Sequence, residues 1–104
     1  MVGEIYLAKI YFTDLSDYKI RPVLVIKTLG DDFMCLQLTS QLHHSGIVIS
    51  NKDLVDGVLK KSSMLLVPKS FTLHSSVLTK YLARINTVLL DQVLTRLCQE
   101  LGCS

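Results

Sequence analysis

Two short segments carry the residue types best suited to chemistry. Arg21 stands before Pro22 at the head of one apolar run, and Thr39-Ser40-Gln41 closes another. A guanidinium is a planar fork that matches two oxygens of a phosphate. Hydroxyls beside such a cation are what a phosphodiester reaction needs near its non-bridging and leaving oxygens. If the two runs pair antiparallel, the start of one lies beside the end of the other, and Arg21 meets Thr39. The bland alternatives are a solvated arginine ahead of an edge strand and a polar strand end whose hydroxyls bond their own turn. Lys60-Lys61-Ser62-Ser63 precedes a further apolar run. Paired lysines and hydroxyls can track a nucleic-acid backbone, or simply face water. With Lys19, Arg21 and Lys69 they would make a basic face.

His43-His44 is the remaining pair with chemical potential. No Cys or His follows at zinc-ligand spacing and there is no HExxH, so a solvated loop is the plainer reading than a metal site. Cys35 lies mid-run among apolar residues, which suits a core thiol better than a nucleophile. Three cysteines without a CxxC pair suggest reduced thiols in a cytoplasm. No P-loop, GxGxxG, GxSxG or EF-hand loop is present, which leaves nucleotide-cofactor and serine-hydrolase readings unsupported.

The elements that must position these residues are mostly strands. The chain has 104 residues, 49% of them apolar and 19% charged, which excludes a disordered chain and suits one domain spanning residues 1–104. Its net charge of +2 neither requires nor forbids a nucleic-acid partner. Apolar runs reach only four residues, as at Val23–Ile26 and Met64–Val67, far short of the roughly 20 needed to span a membrane. Val2-Gly3-Glu4 after Met1 offers no secretion signal, so a soluble cytoplasmic protein is expected. Strands are expected over 4–12, 22–26, 33–39, 46–50 and 63–67, with Pro68 ending the last. Met34, Leu36 and Leu38 should share one face of the third run, with Cys35, Gln37 and Thr39 on the other. Gly30-Asp31-Asp32 predicts a hairpin turn. Residues 13–19, 41–45 and 51–61 read as loops, 77–81 as a helical turn, and 82–85 as a return to the sheet. Leu90, Val93, Leu94, Leu97 and Leu101 recur at helical spacing, with Asn86 or Thr87 as cap and Gly102 past the end. One amphipathic helix on a small antiparallel sheet makes a mostly-β barrel.

Gly3-Glu4-Ile5-Tyr6, Arg21-Pro22-Val23-Leu24-Val25-Ile26, Leu38-Thr39-Ser40-Gln41 and Leu59-Lys60-Lys61-Ser62-Ser63 occur in the order seen in the MazF/PemK-like toxins. The chain resembles that family over nearly its whole length. The resemblance implies an SH3-like barrel, usually a homodimer, and a sequence-selective endoribonuclease that needs neither metal nor cofactor. Such a toxin cuts single-stranded RNA until an antitoxin blocks its groove, and the toxin–antitoxin complex also binds promoter DNA. By position, Arg21 matches the catalytic arginine and Thr39 the catalytic threonine, with Ser40 beside it. Lys19, Gln41, Lys60, Lys61 and Ser62 are the expected RNA contacts. Glu4, His43 and His44 are the candidates for accepting the 2′-OH proton. Lys19-Ile20 stands where well-studied members carry Gly-His or a similar small pair. A barrel that keeps the shape and binds nucleic acid or a peptide without cutting is the second reading.

Overall fold

The computed structural model describes residues 1–11, 14, 16–41 and 46–102. Its strands are β1 (Glu4–Tyr11), β2 (Tyr18–Leu29), β3 (Asp32–Thr39), β4 (Ile47–Ile49), β5 (Leu54–Gly57), β6 (Ser63–His74) and β7 (Leu78–Ile85), followed by one helix, α1 (Thr87–Glu100). They form a curled antiparallel sheet in the order β4-β6-β3-β2-β1-β7-β5. This is the mostly-β half-barrel with a terminal helix that the sequence pattern implies.

Both faces of the sheet are buried, which is why the alternation along β3 places apolar residues on each. Leu36 and Leu38 join Ile5, Leu24 and Leu65 in the larger core, against which Met34 packs. Phe33 and Cys35 join Ala8, Val23 and Val25 in a second core on the opposite face. Gly30 makes the β2–β3 turn at φ 67, a conformation glycine adopts without a Cβ penalty.

Several elements run further than the sequence pattern suggests. Tyr18 and Lys19 belong to β2 rather than to a loop, because β1 and β2 stay paired out to Tyr11↔Tyr18. The two rings of that pair lie 5.4 Å apart, and Lys9 Nζ sits 5.1 Å from the Tyr18 ring centre. Cross-strand aromatic contacts and a cation over a ring both stabilise such a ribbon. Pro68 does not end β6. Leu36 pairs with Ser70 and Leu38 with Leu65, so residues 66–69 bulge out opposite Gln37. A bulge tolerates a residue without a ladder N–H.

The stretch 51–61 is not an unstructured loop. It holds a 3-10 turn at Asn51–Asp53 and then β5, an edge strand on β7 too short to announce itself by alternation. Gly57 ends β5 at φ 78, where a Cβ would strike the Leu82 carbonyl. The helical turn expected at 77–81 is a 3-10 turn at Ser75–Val77, and residues 78–81 already belong to β7.

In α1 the cap is Asn86, whose side chain accepts from the Leu89 N–H at 2.7 Å. The buried seam is Leu89, Val93 and Leu97, with Leu90 packed at its edge. Leu94 and Leu101 lie off it, 39% and 66% exposed, because the helix docks along one narrow line. No helix among the described residues is long and apolar enough to cross a membrane.

Candidate active site

The site is a fork between two strands. The β2–β3 ladder runs up to Val23↔Gln37 and no further. Beyond it β2 continues on β1 as far as Tyr18, and β3 continues on β6 to Thr39↔Met64. The gap between the parted strands is an open cavity of about 520 Å³. Arg21 lines one prong and Thr39, Ser40 and Gln41 the other, with Gln37 at the crotch and Pro22, Ser63 and Leu66 completing the wall. The parting also explains how Pro22 sits inside a strand. It is paired with Leu7 of β1, and no β3 partner is in register with it.

Arg21 is exposed, and its Nη1 donates to the Ile20 carbonyl at 3.3 Å, a long contact that an incoming anion can replace. The Gln41 backbone N–H donates to Thr39 Oγ1 at 3.2 Å. That bond uses the hydroxyl oxygen as acceptor and leaves its proton to be donated elsewhere. A forked cation facing a hydroxyl donor across a solvated gap is an arrangement that binds a phosphate and holds charge developing on it.

Lys19 lies beside this cavity. It lines a smaller recess of about 230 Å³ with Ile10, Arg21 and Gln37. Lys60 and Lys61 line a separate, more apolar cavity of about 580 Å³, whose wall also includes Leu7, Val58, Lys80 and Tyr81. Their position is fixed from behind. The Asn51 side chain accepts from the Leu59 N–H at 2.8 Å and donates to its carbonyl at 3.1 Å, closing the loop ahead of them. The two larger cavities meet, since Pro22 and Ser63 belong to both walls. Ser62 is exposed and lines neither. Lys69 lies within the bulge of β6 and is on neither wall.

Glu4 is engaged elsewhere. It sits four residues along β1 from Ala8, the partner of Arg21. One carboxylate oxygen accepts from Arg84 Nη2 at 2.7 Å and the other from the Tyr6 hydroxyl at 2.9 Å, with the N-terminal ammonium 3.4 Å away. His43 and His44 lie outside the described residues. The described wall of the Arg21 cavity has no carboxylate or imidazole. Among the described residues no three His, Cys, Asp or Glu side chains converge on one point. Cys35 is fully buried, its thiol pushed up to about 11 by burial, as expected of a core residue. Cys98 is half-buried and in no disulfide, and Cys103 lies outside the described residues.

The Arg84 hydrogen bond is the main cause holding the Glu4 carboxyl below its ordinary 4.5. Burial opposes it, and Tyr6 and the terminal ammonium add to the lowering. A carboxyl with a depressed folded-state pKa stabilises the fold above its unfolded value and loses that contribution as pH falls through the folded one. Glu4→Gln is therefore expected to lower the melting temperature at neutral pH and to narrow the difference from wild type under acid. Thermal melts from about pH 7 to about pH 3 read both effects.

Ser63, the last residue of the Lys60–Ser63 segment, does reach the wall. Gln37, Lys80 and Tyr81 are not singled out by residue type. Gln37 has a usable signal, because alternation puts it on the face of Thr39. Lys80 and Tyr81 reach the neighbouring cavity only through the curl of the sheet.

The chain matches the family described as PemK-like, MazF-like toxin of type II toxin–antitoxin system over residues 1–101. No curated protein sequence matches it. Among solved structures it is similar to MazE–MazF from Deinococcus radiodurans, with a TM-score of 0.78 at 18% identity, covering 99% of this chain and 96% of that one. It is also similar to an endoribonuclease from a mycobacterial species, at TM-score 0.74 and 17% identity, covering 98% and 90%. A mycobacterial endoribonuclease in complex with its cognate antitoxin gives TM-score 0.75 at 18% identity, covering 100% and 94%.

Proposed function

The chain belongs to the PemK-like, MazF-like toxin family of type II toxin–antitoxin systems, and on that premise we propose that it is an endoribonuclease that cuts single-stranded RNA. The observation that carries this reading is the fork in which Arg21 faces Thr39, Ser40 and Gln41 across one open cavity. In the proposed reaction the 2′-oxygen attacks the adjacent phosphorus and the bond to the 5′-oxygen breaks. The products are a 2′,3′-cyclic phosphate and a 5′-OH. Arg21 neutralises the two non-bridging oxygens as charge builds on the phosphorane. Thr39, its oxygen turned toward the Gln41 N–H, donates its proton to the same group, and Ser40 assists the leaving oxygen. His43 and His44, two and three residues beyond Gln41 in the chain, are the candidates for taking the 2′-OH proton. The cation, the hydroxyls and that one proton acceptor suffice for this step, so neither metal nor cofactor enters it.

Lys19, Gln41, Lys60 and Lys61 contact the RNA backbone, with Ser62 at the rim. The active form is a cytoplasmic homodimer held in check by an antitoxin protein, and with that antitoxin bound the complex binds promoter DNA. Lys19-Ile20, standing where well-studied members carry a small pair, favours one second reading, a barrel that holds RNA without cutting it.

A substrate in which only the nucleotide 5′ to the cut is 2′-deoxy separates the two. The endoribonuclease reading expects that RNA to be bound as tightly as its all-ribo parent and not cut, while the parent is cut. Equal binding with no cleavage of either RNA supports the second reading. Cleavage of the deoxy-substituted RNA would contradict the mechanism.

A further inference from the structure

Gln37 takes no part in the chemistry proposed above, yet the fold opens around it. Arg21 and Gln37 are the two residues common to the fork cavity and to the recess that holds Lys19 and Ile10. The register explains their meeting. Val23 is the partner of Gln37 at the last rung of the β2–β3 ladder, and Arg21 and Thr39 each stand one alternation further out. Alternate residues of a strand share a face, so Arg21, Gln37 and Thr39 lie on one side of the sheet. Diagonal neighbours at the end of an antiparallel ladder stand about 7–8 Å apart, so an arginine and a glutamine there can reach one phosphate between them. On the other flank of β3, residues 66–69 of β6 bulge opposite Gln37. Both neighbouring strands give way at this residue.

The residue type is the second observation. β3 is a central strand of the sheet, and the earlier residues on this face, Phe33 and Cys35, belong to a core. An apolar side chain would continue that pattern. A carboxamide stands there instead, half-buried, and among the described residues no group bonds it. A half-buried amide keeps only part of its hydration, which is unfavourable until a ligand supplies the missing partner. A carboxamide offers two N–H donors and carries no charge. Beside Arg21 and the hydroxyls, those donors suit one more oxygen of an anion.

We infer that Gln37 is a further catalytic residue: its side-chain N–H donates to one non-bridging oxygen of the scissile phosphate, the one turned toward the crotch of the fork. The inference rests on the endoribonuclease reading and adds to it a neutral donor that tells the two non-bridging oxygens apart. Gln37 transfers no proton, and the bonds made and broken are those already given. Its hydrogen bond strengthens as charge collects on that oxygen in the phosphorane, so it speeds the step more than it tightens binding.

The test compares wild type with Gln37→Leu and Gln37→Glu on an all-oxygen RNA and on RNAs with a single Rp or Sp phosphorothioate at the cut. Gln37→Leu should lower kcat roughly ten- to a hundredfold and leave affinity for a 2′-deoxy-blocked RNA within about twofold. Sulfur is a poor hydrogen-bond acceptor, so loss of the donor should also shift the ratio of Rp to Sp rates, by roughly fivefold or more. Gln37→Glu sets a carboxylate against the phosphate at neutral pH. Its rate relative to wild type should rise as pH falls toward about 4, where the protonated carboxyl donates again. If Gln37→Leu cuts at the wild-type rate, the inference fails and the endoribonuclease reading stands. A folded Gln37→Leu protein that is slow but keeps the wild-type ratio of Rp to Sp rates also overturns it, because the amide then acts on something other than the phosphate. Should Gln37→Leu melt early, Gln37→Glu decides alone, and no relative rise in acid overturns the inference. If wild type cuts none of these RNAs, both the inference and the reading beneath it fail.

Discussion

Arg21→Ala is expected to reduce RNA cleavage by roughly a hundred- to a thousandfold, the usual cost of removing one preorganised charge-stabilising group, with the fold unchanged. The size follows from geometry. Arg21 is the only cation on the described wall of the fork cavity, so no neighbour there replaces it. The unchanged fold follows from exposure, since among the described residues the side chain bonds only to the adjacent Ile20 carbonyl, at 3.3 Å, and belongs to neither core. Arg21→Lys should recover part of the activity, because it restores the charge but not the two-pronged geometry. Initial rates on a defined RNA, read beside thermal melts of the same preparations, check all three statements. A folded, fully active Arg21→Ala protein would remove the residue from the mechanism.

The second large effect is on stability. Leu24→Ala should cost about 2–5 kcal/mol, as large-to-small changes in closed cores do. Leu24 is fully buried, pairs with Ile5 on one side and Leu36 on the other, and belongs to the core that α1 covers through Leu89, Val93 and Leu97. For a domain of this size each kcal/mol moves the melting temperature by about 4–8 °C, so a fall of roughly 8–40 °C is expected. Because β2 carries both Leu24 and Arg21, activity should be lost on warming well before that of wild type and be retained in the cold. Denaturant melts and a temperature series of cleavage rates read the two parts separately. Leu29→Ala, on a residue that is 41% exposed, is the control that should change little.

Much of this arrangement is legible in the sequence because it depends on local pattern. The alternation along Phe33–Thr39 and the Gly30-Asp31 turn are enough to build the β2–β3 hairpin. An antiparallel hairpin must then bring Arg21 near Thr39. The helix is similarly announced by its leucine spacing and by Asn86. What pattern does not carry is where pairing stops. The fork exists because β3 leaves β2 at Gln37 to stay on β6, a competition between partners that no single strand records. Pro68 misleads for the same reason, since only the bulge opposite Gln37 makes room for it within β6. Tyr81 and Lys80 come from a strand that begins at Leu78, well beyond the Thr39 segment in the chain, and only the curl of the sheet sets them beside Lys60 and Lys61. The seam of α1 lies one residue off the expected stripe at Leu89 because its docking line depends on β6, not on the helix alone.

The central claim is that a cation and hydroxyls in the fork carry out transesterification of RNA without help from a metal. The most direct measurement is incubation of the purified protein with a long single-stranded RNA in EDTA, followed by mapping of both new ends at each cut. The account predicts discrete cuts bearing 2′,3′-cyclic phosphate and 5′-OH, absent from a parallel reaction with Arg21→Ala. Cuts bearing 5′-phosphate that disappear when EDTA is present would contradict it, because such ends require an external water and a metal-dependent step that the fork does not provide.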